Sequence, residues 1–266
     1  MSDKAASPWG DFGFEVGERR FWRVGPSAVW IERTEQEWRV ASEESGEEGL
    51  VVAASEAAPP ETAAWMRWAG EPSLCSIRLS PITPDRPVVV RPGQPFRILQ
   101  NGSARVYVSL PVWVRIELLA EDTPLRMIEL PTVRLSNTWF GSLFEGELCY
   151  WLETSARRTV EARPPRPHIA TAPVVVRNTG QEELPLESMC VHAAHLGVYE
   201  DSRGLWTSEV QVTSSGSAEP QRIEVSAGAP PEAAAAERRS APREQQRQGG
   251  ILARAVGLLQ ALPGGA

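Results

Sequence analysis

Short β-rich segments separated by Gly- and Pro-containing turns recur along most of the chain. From residue 86 onward they follow one another at the spacing typical of β sandwiches. Asn101-Gly102 predicts a β hairpin between two of these segments, and no long amphipathic helix precedes residue 250. We therefore predict an all-β chain with two packed, sandwich-like β subdomains. The segments are PVVVRPG, PFRILQNG, ARVYVSLPVWVRIELL, LRMIELPTVRLS, GELCYWLETSARRTVEA, PVVVRNTG, LWTSEVQVTS and PQRIEVSAG.

The N-terminal region predicts a tight meander of three strands, RRFWRVG, AVWIERT and EWRVASE, with tryptophans on both strand faces. The next stretch, residues 43–62, has glutamates, small residues and a Pro-Pro pair in place of the strand pattern. We interpret 43–62 as a flexible acidic insertion in a loop.

Two compositional changes predict the domain boundaries. The connector EARPPRPHIATAP is rich in proline and arginine, and it separates an N-terminal β domain, residues 10–163, from a C-terminal β subdomain, residues 166–228. After residue 228 the sequence lacks core-forming side chains until residue 250. We therefore predict that 229–266 is a disordered arm that ends in a short apolar helix, residues 251–262.

The predicted helix has the sequence ILARAVGLLQAL, in which Leu252, Val256 and Leu259 form one apolar row beside a second. A helix of this length that contains Gly257 is marginal in water, so we expect it to form only against a surface. Docking on its own β domain and docking on a partner protein both remain open. A single arginine gives little attraction to an anionic membrane.

Composition limits the partners. The net charge of −7 argues against general nucleic-acid binding, which requires a basic surface. The N-terminus lacks an apolar signal-peptide region, and no apolar run is long enough to span a bilayer. We expect a soluble, cytoplasmic protein with reduced thiols. The clustered arginines at 157, 158, 163 and 166 fit an anionic-partner surface or, as we favour, a charged edge strand.

The stretch LSNTWFGSLFEGELCYWL is the densest aromatic segment. In one interpretation Asn137 and Thr138 line a polar pocket that is roofed by Trp139. In the other, which we favour, the two polar side chains bond to local backbone and Trp139 fills the core at a structural corner. Asn137, Thr138 and Trp139 are therefore candidate binding residues.

The metal-like cluster in the sequence is CVHAAH, with Cys190, His192 and His195. The two histidines share a face on a helix but point in opposite directions on a strand. Zinc needs three or four converging ligands, and no partner motif follows at a fixed spacing. Cys75 and Cys149 lie in strand segments, where thiols behave as small apolar groups. We predict no metal site and no cofactor.

Catalytic motifs are missing as well. The sequence has no G-x-S-x-G, and no glycine-rich loop opens a helix. The paired glutamates fall in the acidic insertion, whereas acid–base catalysis needs a rigid and partly desolvated setting. We expect a protein that is not an enzyme.

The stretches LSNTWFG and GELCYWLETSAR, with the upstream PDRPVVVRPGQPFRI and RVYVSLPVWVRI, resemble domain-of-unknown-function family 432. The N-terminal FGFEVGERRFWRVGPSAVWIER resembles the start of that family, and the likeness covers about residues 10–212. The resemblance implies a β-rich prokaryotic protein and brings no catalytic residue.

We therefore expect a non-enzymatic protein-interaction or binding module, with an unknown protein partner that docks through the C-terminal helix. The alternative is a small-molecule or glycan-binding β domain that uses exposed tryptophans, of which the sequence offers ten candidates against three tyrosines.

Overall fold

The computed structural model describes residues 7–53, 58–71, 73–120, 123–142, 144, 146–160, 166–216, 221–246, 250–253 and 255–257, with side chains at all of these except 45–53, 153–155 and 257. Strand accounts for 57% of the model and helix for 3%. The chain is therefore all-β, as the recurring segments predict. In the described part of the chain, no helix is long and apolar enough to cross a membrane.

In chain order the described residues form strands β1 (Gly10–Gly13), β2 (Arg19–Arg33), β3 (Glu37–Ala53), β4 (Met66–Ala69), β5 (Ser76–Ile82), β6 (Val88–Pro92), β7 (Phe96–Ile98), β8 (Ser103–Pro111), β9 (Trp113–Leu118), β10 (Leu125–Pro131), β11 (Ser136–Phe140), β12 (Glu147–Ala156), β13 (Ile169–Asn178), β14 (Leu184–Leu186), β15 (Ser188–Val191), β16 (Val198–Asp201), β17 (Gly204–Thr207), β18 (Val210–Ser214), β19 (Gln221–Val225), β20 (Glu237–Ser240), β21 (Ile251–Ala253) and β22 (Val256–Gly257). Two 3₁₀ helices, Ala193–His195 and Pro231–Ala233, interrupt them.

The first structural unit comprises the described residues of 1–82, 111–134 and 166–169. It contains a four-stranded antiparallel sheet in the order β1-β5-β9-β10 and a three-stranded antiparallel sheet in the order β2-β3-β4. Its tryptophans are mostly core residues: the Phe14 ring meets Trp38 edge-on at 5.2 Å between centroids, and Phe12 meets Trp22 in the same way at 5.3 Å. Large aromatic anchors therefore stabilise this unit.

The second unit comprises the described residues of 83–110, 135–165 and 170–266. A five-stranded sheet has the order β11-β12-β6-β15-β22, an eight-stranded sheet has the order β20-β16-β17-β13-β18-β19-β21 with β8 also paired to β13, and β7 pairs with β14. The core of this unit consists mainly of aliphatic side chains, among them Val88, Val106, Val174, Leu186, Val212 and Ile223. Because strands from both halves of the chain join these sheets, the units are discontinuous and do not follow the predicted domains 10–163 and 166–228.

The predicted acidic insertion at 43–62 is a strand over most of its described length. Residues 43–53 belong to β3, which pairs with β2 from Ala28 opposite Glu43 to Phe21 opposite Ala53, with a register shift between Gly25 and Ser27. The long β2 strand supplies a ladder of backbone hydrogen bonds that does not depend on side-chain polarity, so composition alone misleads here. Residues 54–57 lie outside the described residues.

Residues 229–246, predicted as a disordered linker, are attached to the second unit by charged side chains. Glu232 in the second 3₁₀ helix accepts hydrogen bonds from Arg105 Nε at 2.7 Å and from the Tyr107 hydroxyl at 2.7 Å. Arg239 Nε contacts Glu200 at 2.6 Å, and Arg243 Nε donates to the Thr83 carbonyl at 2.6 Å. Specific polar pairs therefore hold a segment that lacks the apolar residues from which order is usually predicted.

The predicted helix 251–262 is two short strands over its described part. β21 pairs with β19, and β22 pairs with β15, where Val256 stands opposite Met189. The apolar spacing that suits a helix also allows alternation over so few residues, and the open edges of two sheets decide between them. Residues 254 and 258–262, including Leu259, lie outside the described residues.

Candidate functional site

Strands β11 and β12 form an antiparallel hairpin that covers most of the aromatic stretch. Thr138 pairs with Cys149 and Trp139 pairs with Leu148. Because side chains alternate along a strand, Trp139 and Leu148 lie on one face, and Thr138 and Cys149 lie on the other. The hairpin therefore carries two separate sets of candidate residues on its two faces.

The first face exposes large apolar side chains. Trp139 is 37% exposed and Leu148 is 46% exposed, while Phe144, in the turn between the strands, is 97% exposed. The Trp139 indole N–H donates to the Ser142 carbonyl at 2.8 Å. The indole also lies so close to Gly146 that a Cβ there would collide with it. Trp139 therefore lies over the turn. The corner interpretation predicts that Trp139 fills the core, and the exposed indole does not.

The neighbouring polar residues are placed by local contacts. The Asn137 side-chain oxygen accepts a hydrogen bond from Arg86 at 3.2 Å, and the same guanidinium lies over the Tyr150 ring, 5.5 Å from its centroid. Thr138 projects from the opposite face to Asn137 and Trp139. The three predicted binding residues are therefore adjacent in the strand but do not line one pocket.

The second face of the hairpin brings together four metal-ligating side chains. Glu147 and Cys149 lie on β12, Cys190 lies on β15, and His192 follows β15 directly. The sulfur atoms of Cys149 and Cys190 are 3.6 Å apart, and Cys190 Sγ is 3.9 Å from Glu147 Oε1. The same Glu147 oxygen, Oε1, lies 3.4 Å from His192 Nε2.

Burial shifts the pKa values of Glu147 and Cys190. Both cysteines and His192 are buried, and Glu147 is partly buried. Burial raises the pKa of the Glu147 carboxyl above its ordinary value. Burial, reinforced by the adjacent Cys149 thiol and Glu147 carboxylate, raises the pKa of Cys190 well above its ordinary value. In the metal-free protein the Cys190 thiol is therefore protonated at neutral pH and is a poor nucleophile.

The sequence pattern predicts only half of this cluster. It grouped Cys190 with His192 and His195, but the His195 ring contacts Glu244 instead, with Nδ1 3.2 Å from the backbone carbonyl. Glu147 and Cys149 were missed because they are separated from Cys190 by about forty residues and meet it only through sheet pairing. The sequence did contain a signal. Glu147 and Cys149 are two residues apart, as are Cys190 and His192, and residues two apart in a strand share a face.

The C-terminal candidates do not form the predicted apolar row. Leu252 in β21 is 76% exposed, whereas Val256 in β22 is only 1% exposed. The Cys190 amide donates to the Ala255 carbonyl at 2.8 Å, so this segment continues the five-stranded sheet. Its described part lies on its own unit and is not a free docking helix.

Two of the clustered arginines, which precede the connector, make contacts within the second unit. Arg157 exchanges backbone hydrogen bonds with Tyr107, and the Arg158 guanidinium lies over the Phe96 ring, 5.2 Å from its centroid. Arg163 lies outside the described residues. These contacts place Arg157 beside β8 and Arg158 beside β7.

Comparison with known proteins places the chain in one group. The family model described as "Protein of unknown function (DUF432)" matches residues 8–259. The match extends through the segment after residue 228, consistent with the attachment of that segment to the second unit. Neither the curated proteins nor the solved structures gave a match.

Proposed function

The chain belongs to the DUF432 family of proteins of unknown function, and on that premise we propose that it is a non-enzymatic binding module that takes an extended segment of a partner protein along strand β11. The family name carries no activity, so the proposal stands on the hairpin. The observation that supports the proposal is that the end strand β11 contains no charged residue and that three apolar side chains are exposed on the hairpin it forms with β12. These are Trp139, Phe144 and Leu148.

The position of β11 supports strand addition. It is an end strand of the five-stranded sheet in the described order, so some of its backbone groups point away from β12. Natural end strands are usually protected against pairing by charge or proline. The sequence of β11, SNTWF, contains neither, whereas the end strands β4 and β10 contain Arg67 and Arg126, and β20 contains Glu237.

The exposed side chains supply apolar contact beside this strand. Peptides that add a strand gain affinity from main-chain hydrogen bonds and specificity from alternate side chains. Trp139 and Leu148 present an apolar face next to the backbone of β11, and Phe144 extends that face at the turn. Aromatic residues of this kind provide much of the binding energy at protein interfaces.

The glycan-binding alternative finds less support. A glycan-stacking surface needs several exposed aromatic rings. The structure describes all ten tryptophans, and among them only Trp139 is exposed. Trp9, Trp22, Trp30, Trp38 and Trp206 are buried. An acidic protein with net charge −7 also offers little attraction to nucleic acid. We further propose a reducing compartment such as the cytoplasm, because all three cysteines are free thiols.

The test uses the purified full chain and a phage-displayed library of random peptides. We expect the enriched peptides to slow amide exchange in β11, because an added strand occupies its outward backbone groups. Trp139→Lys should weaken these peptides at least about tenfold, since loss of an interface aromatic commonly removes more than about 1.4 kcal/mol.

The matched control is Leu99→Lys, which changes an exposed leucine in the turn between β7 and β8 in the same unit. It should leave peptide affinity within about twofold, because that turn is remote from β11 in the sheet order. Peptides that protect another strand, or that bind the Trp139→Lys protein equally well, would contradict the proposal.

A further inference from the structure

Two thiols, a carboxylate and an imidazole lie near one another at the buried face of the β11–β12 hairpin. The imidazole of His192 contacts the Glu147 carboxylate. Glu147, Cys149 and Cys190 each place one ligand atom within 4.8 Å of the others, and His192 Nε2 lies 3.4 Å from Glu147 Oε1. All four residues belong to the second unit. Glu147 and Cys149 lie on β12, Cys190 lies on β15 and His192 follows β15, and these two strands flank β6 in one sheet. This arrangement joins four ligands of three chemical types on a single face.

We propose that Glu147, Cys149, Cys190 and His192 bind one zinc ion. The site is separate from the proposed peptide-binding strand, because its ligands lie on the opposite face of the hairpin from Trp139 and Leu148. Failure of either proposal therefore leaves the other standing.

The interatomic distances fit tetrahedral zinc. Two Zn–S bonds of about 2.3 Å at a tetrahedral angle place the sulfurs about 3.8 Å apart, and the Cys149 and Cys190 sulfurs are 3.6 Å apart. Bonds of about 2.0 Å from zinc to oxygen and nitrogen place those atoms about 3.3 Å apart, and Glu147 Oε1 and His192 Nε2 are 3.4 Å apart. A disulfide would instead require about 2.05 Å between the sulfurs.

The chemistry of the ligands selects the metal class. Thiolates and imidazole bind zinc well, whereas calcium and magnesium require oxygen ligands almost exclusively. Four protein ligands close the coordination sphere, which is typical of structural zinc sites. Binding releases the protons of the two thiols, and the ion then offsets the negative charge of two buried thiolates and a carboxylate.

The position of the ligands gives zinc a specific role. Glu147 and Cys149 hold β12, Cys190 and His192 hold the end of β15, and β6 runs between these strands. The packed neighbours of the two sulfurs are Val89, Phe140 and the partly buried Trp151. A bound ion would therefore link β12 to the end of β15, beside the apolar side chains of Val89 and Phe140.

The test begins with the wild-type full chain, reduced and stripped of metal with a chelator, then titrated with Co²⁺. We expect about one Co²⁺ per chain with the near-ultraviolet charge-transfer absorption of thiolate ligands, and stoichiometric displacement by Zn²⁺. A reduced and folded wild-type chain that shows no such absorption overturns the proposal, whatever the variants do.

The variants assign the ligands. Cys149→Ser and His192→Ala should each weaken Zn²⁺ binding at least about a hundredfold, since even residues behind the ligands change affinity by ten- to a hundredfold. The matched controls are Cys75→Ser, an exposed cysteine in the first unit, and His195→Ala, whose ring contacts Glu244. Both controls should bind zinc within about twofold of wild type. Thiolate absorption that persists in Cys149→Ser but disappears in Cys75→Ser overturns the assignment.

Discussion

The five-stranded sheet of the second unit ends in two very different strands. At one end β22 buries Val256 almost completely, and at the other end β11 leaves Trp139 and its neighbour Leu148 substantially exposed. Both strands are short: β11 contains Trp139 and Phe140, and β22 consists of Val256 and Gly257. What separates them is whether the rest of the chain supplies partners for the strand.

Polar contacts account for the difference. Gln221 Oε1 accepts hydrogen bonds from the amides of Ala255 at 2.6 Å and Val256 at 3.0 Å, and its Nε2 donates to the Val256 carbonyl at 3.3 Å. Beside β11, the Trp139 indole donates to the Ser142 carbonyl, and the Asn137 side chain accepts from Arg86. Neither of these two contacts reaches a backbone group of β11. A buried side chain that satisfies backbone groups therefore marks an edge that the chain itself completes.

The largest effect is expected at the buried end of the sheet. Gln221→Ala leaves three buried backbone groups without this partner, so the free energy of unfolding should fall by about 2–4 kcal/mol. Urea denaturation measures it. The control Gln211→Ala removes a half-buried glutamine that contacts Glu209 at 3.0 Å, and it should cost less than about 1 kcal/mol. Equal losses in the two variants would show that β22 contributes little to stability.

A smaller loss is expected where the segment 229–246 is attached by charge. Glu232→Gln should lower the free energy of unfolding at pH 7 by about 1–2 kcal/mol, because a carboxylate that accepts from Arg105 and Tyr107 is replaced by an amide. Equilibrium unfolding checks this. The exposed Glu237, 3.6 Å from Arg239, provides the control Glu237→Gln, which should change little.

The effect of Glu232→Gln should depend on pH. Burial raises the pKa of Glu232, but the hydrogen bonds from Arg105 and Tyr107 outweigh it and lower the pKa below its ordinary value of 4.5. The carboxylate therefore contributes stability above about pH 4.5, and this contribution is lost as the pH falls through the lower pKa of the folded protein. The difference between wild type and variant should shrink in that range. A difference that grows on acidification would contradict the assignment.

At the exposed end, Trp139→Ala should cost only about 1–2 kcal/mol, because much of the indole already meets water. The buried Trp38 offers the comparison: Trp38→Ala should cost about 3–5 kcal/mol. Thermal or urea unfolding of both proteins measures the contrast. If Trp139→Ala were as damaging as Trp38→Ala, the indole would be a core residue and the proposed binding face would lose its main component.

The smallest effect on stability is expected at Phe144. Its ring is almost wholly exposed, so Phe144→Ser should change the free energy of unfolding by less than about 0.5 kcal/mol. The same variant should weaken the peptides that protect β11, because the ring extends the apolar face. Unchanged peptide affinity would restrict the binding face to Trp139 and Leu148.

The sequence predicts strands well and their partners poorly. Asn101-Gly102 does form a turn, with Asn101 at φ 56°, but the flanking strands do not pair with each other: β7 pairs with β14, and β8 pairs with β13. A turn depends on two residues, whereas pairing depends on strands far along the chain. For the same reason the all-β class was predictable, and the discontinuous units were not.

The candidate sites show the same division. The aromatic stretch identified Asn137, Thr138 and Trp139, but only tertiary structure shows that Trp139 lies over Gly146 and stays exposed. The helix predicted at 251–262 failed over its described part because Gln221, about thirty residues earlier, completes the strand. Local spacing cannot contain that information, since the deciding hydrogen bonds are nonlocal.

The pairing of β6 with β15 has a consequence for synthesis. Val89 in β6 stands opposite Cys190 in β15, about a hundred residues later in the chain. At translation rates of about 5–20 residues per second, β6 emerges from the ribosome some 5–20 seconds before this neighbour exists. Its other neighbour, β12, emerges about sixty residues after β6. Until β15 emerges, the run Val88, Val89 and Val90, which is fully buried in the finished protein, therefore lacks at least one of its two neighbouring strands. The nascent chain should therefore depend on chaperones during its own translation, more than a protein of this size with sequentially paired strands.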